Sequence, residues 1–449
     1  MRRASTRLPG GLGVSLVAIV MAAVGCSEPE PGETADVLRT ATAAPLYAWL
    51  QHGAAGLEAR AIVNAGTPCP QVDVDGVASG MTERADAGAE FAVVSCTAPV
   101  SGSAGSISVG AQNLPAPSAA PQRILVLGDS GCRMTAGWYE NCDGSGTGVP
   151  WSFIAAATAA AAERPDLIVH VGDYVYREAE CDTTEQPGCA GSPWGDKWTT
   201  WEADFFAPSR PLLDVAPWIV TRGNHEDYGR NHLGWLRFLD GRALVPADLT
   251  DAGCPRFSAP YKVAFDEVDF LVLNTATDPN ASGLDPSAQT RYTEDFSQAA
   301  GLVTAGRTAW TVTHRPFWGL APDWQDPSSL GVADTTLQAA IAGMPGGAWP
   351  PDVEMALAGH IHLLETLSFR DGRPHQVVSG DAGTAQDAAI TAEAIARNPQ
   401  VFTQLGIAPD DFQSYHDFGY VLLEPATEGG WTVTVKDLAG DVLEQFQLR

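Results

Sequence analysis

Positive charge is scarce in this chain. Of its 449 residues, 26 are Lys or Arg against 54 Asp or Glu. So acidic a surface argues against nucleic acid or an anionic membrane as the main partner. A phosphate substrate would be repelled too, unless a bound cation inverts the local field. The apolar run from Leu12 to Val24 spans thirteen residues, too few for a membrane helix of roughly 20. Cys-x-x-Cys does not occur, which argues against a thiolate zinc site. No internal repeat is visible, so solenoid and propeller architectures are set aside.

What is present begins with Arg2, Arg3 and Arg7 ahead of that apolar run, the layout of a secretory signal peptide over residues 1–25. It ends at Ala23-Val24-Gly25-Cys26, which resembles a bacterial lipobox and would place a lipid on Cys26; ordinary cleavage after Gly25 is the other reading. Either way the mature protein is expected to be exported, lipid-anchored in the bacterial cell envelope or extracellular, meeting the membrane only through that lipid. Export admits disulfides. Local pairing would join 69–96, 132–142 and 181–189 and leave Cys254 over, although spacing alone does not determine connectivity.

The acidic, Pro- and Glu-rich segment 26–44 reads as a disordered tether. Short apolar runs broken by Gly, Pro and Asp suggest a small β-rich domain over 45–113, with His52 on its surface. Residues 114–122 (LPAPSAAPQ) form a Pro/Ala linker. Over 123–449 strands and helices alternate: strands at Arg123–Leu127, Leu167–Val171, Trp218–Thr221, Phe270–Asn274, Trp310–Thr313 and Glu354–Leu357, and an Ala-rich helix at Ser152–Arg164. This order implies an α/β layered domain, and its strand-rich tail suggests a second sheet packed on the first.

Every polar cluster of interest follows an apolar strand: Asp129, Asp173 with Tyr176 three residues on, Asn224-His225, His314, and His360 with His362. In open α/β sheets ligands bind at the carboxyl ends of strands, so residues far apart in sequence can converge there. Carboxylates, an amide oxygen and imidazoles form a mixed O/N set suited to Fe, Mn or Zn. They are too many for one ion, whereas two ions sharing a bridging carboxylate would use them all. His170 lies within an apolar strand and reads as a core residue. Arg133 and Arg315 directly follow two of the blocks and are candidate phosphate contacts, with a carboxylate partner or cap as the plainer reading. Trp194, Trp198 and Trp318 lie near the site and line either its rim or the core.

The series GD-x-G (128–131), GD-x-x-Y (172–176), GNHE (223–226), V-x-H (312–314) and GHIH (359–362) resembles the calcineurin-like metallophosphoesterase superfamily and, within it, the purple acid phosphatases. Many members of the superfamily carry a histidine ligand where Gly131 stands; purple acid phosphatases use a tyrosine instead, and Tyr176 matches it. The resemblance implies a four-layer α-β-β-α sandwich. It further implies that Asp129, Asp173, Tyr176 and His362 bind Fe(III), and that bridging Asp173, Asn224, His314 and His360 bind a divalent Fe, Zn or Mn. His225 would face a small-molecule phosphate ester as general acid, with a metal-bound hydroxide as nucleophile. The expected activity is that of an acid phosphatase-type phosphomonoesterase; a phosphodiesterase or nucleotidase on the same centre, or a non-enzymatic surface metal-binding protein, are the alternatives.

Overall fold

Strand Ile124–Leu127 shows how the sequence builds the molecule. Its side chains alternate: Ile124 and Val126 pack on one face, Leu125 and Leu127 on the other, and all four are buried. A strand covered on both faces reads as a continuous apolar run and belongs to a sheet between two layers. The computed structural model describes residues 44–250, 253–277 and 285–448. The expected signal peptide, Cys26 and nearly all of the expected tether lie outside the described residues.

Two sheets form the centre. The first has ten strands, in the spatial order Val442–Leu448, Trp431–Asp437, Gly419–Pro425, Ile124–Leu127, Leu167–His170, Trp218–Val220, Tyr47–Gly53, Gly56–Asn64, Val93–Pro99, Thr82–Ala85. The second has seven: Tyr261–Ala264, Asp269–Val272, Ala309–Val312, Val353–Ala358, His375–Ser379, Leu364–Leu367, Phe412–Tyr415. Between them lies an apolar layer containing Val126, Val169, Phe270, Val312, Leu357 and Val433. Helices Phe153–Ala162 and Arg210–Leu213 cover the outer face of the first sheet. Helices Pro286–Ala300 and Thr335–Gly343 cover that of the second. The longest of these starts cleanly, because the Asp285 side chain accepts from Ser287 N and Ala288 N and Pro286 opens the first turn. The expected α-β-β-α sandwich is therefore present. No helix among the described residues is long and apolar enough to cross a membrane.

Within each sheet the central strands run parallel: Ile124–Leu127, Leu167–His170 and Trp218–Val220 in the first, and Asp269–Val272, Ala309–Val312, Val353–Ala358 and His375–Ser379 in the second. Their carboxyl ends consequently share one rim.

Three expectations are corrected. The 45–113 region is β-rich, as expected, but only Gln71–Val74, Val77–Gly80, Ile107–Val109 and Gln112–Leu114 form a sheet of their own. Tyr47–Gly53 is buried along its whole length and pairs in parallel with Trp218–Val220, so the region's main strands prolong the first sheet. The described residues form one compact unit. Of the tail, His375–Ser379 lies in the second sheet, but the last three strands join the first, through Gly419–Pro425 against Ile124–Leu127, and the rest of the second sheet comes from earlier in the chain and from Phe412–Tyr415. His52 is buried, its ring 5.0 Å from that of Phe265.

Two arginines fasten the N-terminal strands to the rest. Arg84 donates to the carbonyls of Leu236, Arg237, Asp240 and Arg242, and Arg60 to those of Phe238 and Asp240. These are the free carbonyls at the end of helix His232–Phe238 and just beyond it, where cations are favoured. Among the described residues the disulfides are Cys69–Cys96, Cys132–Cys142 and Cys181–Cys189, with Cys254 free and buried.

Candidate metal centre

Five strand ends deliver the polar clusters to this rim, and the chain turns sharply at each. Asp129, Asp173 and His360 all have positive φ, 54°, 58° and 72°. That is an uncommon backbone for residues with a side chain, and it clusters at functional sites. Gly223 leaves room for a neighbour, since a Cβ there would collide with Asp173 Oδ1.

The Tyr176 hydroxyl lies at the heart of the first group, 2.9 Å from Asp129 Oδ1, 2.8 Å from Asp173 Oδ2 and 3.0 Å from His362 Nε2. His362 Nδ1 is 3.0 Å from the Ala385 carbonyl, which can only accept, so Nδ1 carries the proton and Nε2 a lone pair. One hydroxyl hydrogen therefore faces three acceptors.

The second group repeats the imbalance. His314 Nδ1 donates to the Val171 carbonyl at 2.9 Å, leaving Nε2 as a lone pair 2.9 Å from Asn224 Oδ1 and 3.2 Å from Asp173 Oδ2. Ligand atoms of Asp173, His314 and His360 lie within 4.8 Å of one another. Asp173 Oδ2 belongs to both groups. Such a surplus of buried acceptors fits two cations, and fixing the remote ring nitrogen on a carbonyl is how proteins orient metal-binding histidines. Burial together with Asp129 and Asp173 raises the Tyr176 phenol well above its ordinary pKa, so only a strong Lewis acid would ionise it.

All seven expected ligand residues thus converge. His225 does as well. Its ring lies 3.8 Å from that of Tyr176, its Nδ1 3.0 Å from Glu178 Oε1, and its Nε2 2.9 Å from Arg230 Nη2 and 3.9 Å from Asp173 Oδ2. Burial pushes the His225 pKa down to about 4, with Asp173 and Glu178 working against that shift. Arg133 Nη2 is 3.2 Å from His362 Nδ1 and Arg315 Nη1 is 2.8 Å from His360 Nε2, so both candidate arginines reach the site. Among the described residues Arg133 makes no ion pair with a carboxylate, and its buried Nε has no hydrogen-bond partner. Trp198 and Trp318 are buried in the packing layers and Trp194 is 40 % exposed. His170 is a core residue, stacked on Tyr174 at 4.1 Å.

Gly131 and Tyr176 are sterically complementary. A Cβ at Gly131 would come within 2.7 Å of Asp204 Oδ2 and of the Tyr176 backbone N and within 2.9 Å of the Tyr176 ring, so the position has no room for a side chain.

Sequence reasoning passed over several supports. Glu226 accepts from the backbone N–H of Asp173, Tyr174, Val175 and Gly223, tying two ligand loops together. Asp204, in a π-helical turn Glu202–Phe206, accepts from Cys132 N, Tyr176 N and Arg177 Nε. Glu226 was within reach, as the last letter of the GNHE block, whereas nothing local to Asp204 signals its partners.

The model of the calcineurin-like phosphoesterase family matches residues 122–364, more than half of the chain. No curated protein matches. Among solved structures, the chain is similar to the purple acid phosphatase PPD1 from yellow lupin (Lupinus luteus) seeds, with 15 % identity, a TM-score of 0.54, and 90 % of this chain and 74 % of that one covered. The inner membrane complex anchor GAP50 of Plasmodium is 12 % identical over 74 % of this chain and 89 % of its own, with a TM-score of 0.45. A putative 5'-nucleotidase from Staphylococcus aureus is 13 % identical over 73 % and 54 %, with a TM-score of 0.33. The likeness to the lupin enzyme is one of fold.

Proposed function

The chain belongs to the calcineurin-like phosphoesterase family and is a metal-dependent phosphoester hydrolase; on that premise we propose that it is an exported phosphomonoesterase of the purple acid phosphatase type. The observation that carries the subtype is the Tyr176 hydroxyl among Asp129, Asp173 and His362, with Gly131 where a histidine ligand would otherwise stand.

Asp129, Asp173, Tyr176 and His362 would hold Fe(III), and Asp173, Asn224, His314 and His360 a divalent Fe, Zn or Mn ion. When bound, the pair supplies the positive field that an acidic protein lacks and lowers the pKa of water enough for it to attack phosphorus. Arg133 and Arg315 border the site and bind the phosphate's outer oxygens. Asp173 also accepts from His225 N at 2.8 Å, which sets the His225 backbone against the bridging carboxylate. The Glu178 carboxylate accepts from His225 Nδ1 at 3.0 Å, while Nε2, with Arg230 Nη2 at 2.9 Å, is the ring nitrogen on the Asp173 side; in acid Nε2 gains a proton and passes it to the departing oxygen. The test is metal analysis of the purified protein alongside a panel of phosphate mono- and diesters. Turnover of diesters in preference to monoesters would overturn the reading.

A further inference from the structure

A small hairpin, Met134–Thr135 paired with Trp138–Tyr139, stands beside the metal centre. Its two-residue turn is possible because Gly137 takes φ 84°. The hairpin is rigidly attached. Cys132–Cys142 closes its base, Met134 N donates to Tyr176 O at 3.0 Å, and Glu178 N and Ala179 N both donate to Met134 O at 2.9 Å. On it, Trp138 remains 44 % exposed.

A lone exposed indole is ordinary. This one differs in what it touches. The Arg133 guanidinium carbon lies 4.5 Å from the centre of the Trp138 ring and 5.3 Å from that of Tyr176, while Nη2 reaches His362. The guanidinium is therefore packed against an indole that opens to solvent and a phenol within the metal centre. Indole is the strongest of the aromatic partners for a cation, so the hairpin determines where that charge sits. A phosphate held by Arg133 brings its ester substituent alongside Trp138.

We propose that Trp138 is a specificity-determining residue: one side of its ring fixes Arg133, and the open side stacks on a flat group carried by the leaving alcohol. The preferred substrates are then phosphate monoesters of alcohols bearing an aromatic or heterocyclic ring, nucleosides among them, over esters of sugars or glycerol. This rests on the phosphomonoesterase reading above. A rigid platform also orders few new side chains when it binds, which limits the entropic cost.

Adenosine 5′-monophosphate and ribose 5-phosphate form a matched pair, because both release a primary alcohol and only the first carries a flat base. Base–aromatic stacking of ordinary strength would make the wild-type KM for the nucleotide about tenfold lower. Trp138→Ala should abolish that preference by raising the nucleotide's KM, and Trp138→Phe should retain most of it. Calorimetric Kd values for the methylene phosphonate analogues of both esters should show the same pattern without turnover. Equal weakening of both ligands by Trp138→Ala would overturn the proposal, leaving Trp138 as a support for Arg133. So would an unchanged preference. If neither ester is hydrolysed by metallated wild type while its analogues are still discriminated through Trp138, the phosphomonoesterase reading fails and the stacking role stands.

Discussion

Oδ2 of Asp173 faces Nε2 of His314 across 3.2 Å, and once His314 Nδ1 has donated to Val171 neither atom has a hydrogen to offer the other. Burial lowers the His314 pKa, but the Asp173 charge and hydrogen bond outweigh it and raise the pKa overall. Because the same oxygen faces Tyr176, Asp173 should be indispensable to both ions. Elemental analysis of wild type is expected to find two metals per chain, one of them iron, and Asp173→Ala should lose both. Losing the several kcal/mol that a metal contributes to the transition state would cost kcat/KM roughly a thousandfold or more. Chelation should also lower Tm, since a ligand at a thousand times its Kd adds about 4 kcal/mol to folding stability. A wild-type stoichiometry near one after reconstitution would sink the two-metal arrangement.

Tyr176 offers an optical test. Phenolate-to-iron charge transfer absorbs visible light, and no carboxylate, amide or imidazole ligand gives a comparable band. Tyr176→Phe should bleach the protein while much of its iron stays bound through Asp129, Asp173 and His362. A colourless, fully iron-loaded wild type would leave the family intact and remove the purple acid phosphatase subtype.

His225 should matter in proportion to how badly the leaving group needs a proton. Nitrophenolate departs readily without one; the alkoxide of a glycerol or sugar ester does not. His225→Ala is expected to slow alkyl phosphates by up to the 10²–10⁴-fold typical of general acid catalysis, about 3–5 kcal/mol, and nitrophenyl phosphate by much less. Metal content should be unaltered, because the neighbouring Asn224 is the proposed ligand. Equal slowing of both ester classes would instead make His225 a phosphate-binding group.

The N-terminal strands should unfold together with the catalytic sheet. Arg84→Met removes donors from four carbonyls around the end of helix His232–Phe238 and should cost about 2–4 kcal/mol in a single urea transition, without altering kcat or KM. Asp240 beside it adds a pH signature. Burial raises its pKa, but Arg242 at 2.6 Å outweighs that and holds the carboxyl below its usual range. A depressed carboxylate contributes stability above its ordinary pKa near 4 that disappears as pH falls through the folded value. Arg242→Gln should therefore raise the pH of acid unfolding, and two separate urea transitions in wild type would contradict the shared sheet.

Much of this was legible in the chain because its signals are local. An apolar run ending in Gly-Asp or Gly-His, as at Val171-Gly172-Asp173, announces both a buried parallel strand and the side chain that strand presents. Long-range pairing leaves no such trace. Nothing in Tyr47–Gly53 names Trp218–Val220 as its partner, so on sequence alone a strand that prolongs the central sheet reads as part of a separate domain. Nothing around Tyr420 says that it returns to Ile124–Leu127. The same limit hid Asp204, whose three hydrogen-bonded partners come from residues far away in the sequence, and Trp138, whose meaning depends on where Arg133 lies.

The parallel pairing of Tyr47–Gly53 with Trp218–Val220 bears on how the enzyme can be dissected. The family match starts at residue 122, and a truncation there would look natural on the sequence. It would strip a neighbour from the strand that ends just before Asn224 and His225, leaving unpaired backbone along a raw sheet edge. Such edges recruit other chains. The shortened protein should aggregate or lose grip on the loop that carries Asn224, so the family-matched portion is not expected to stand as an independent module.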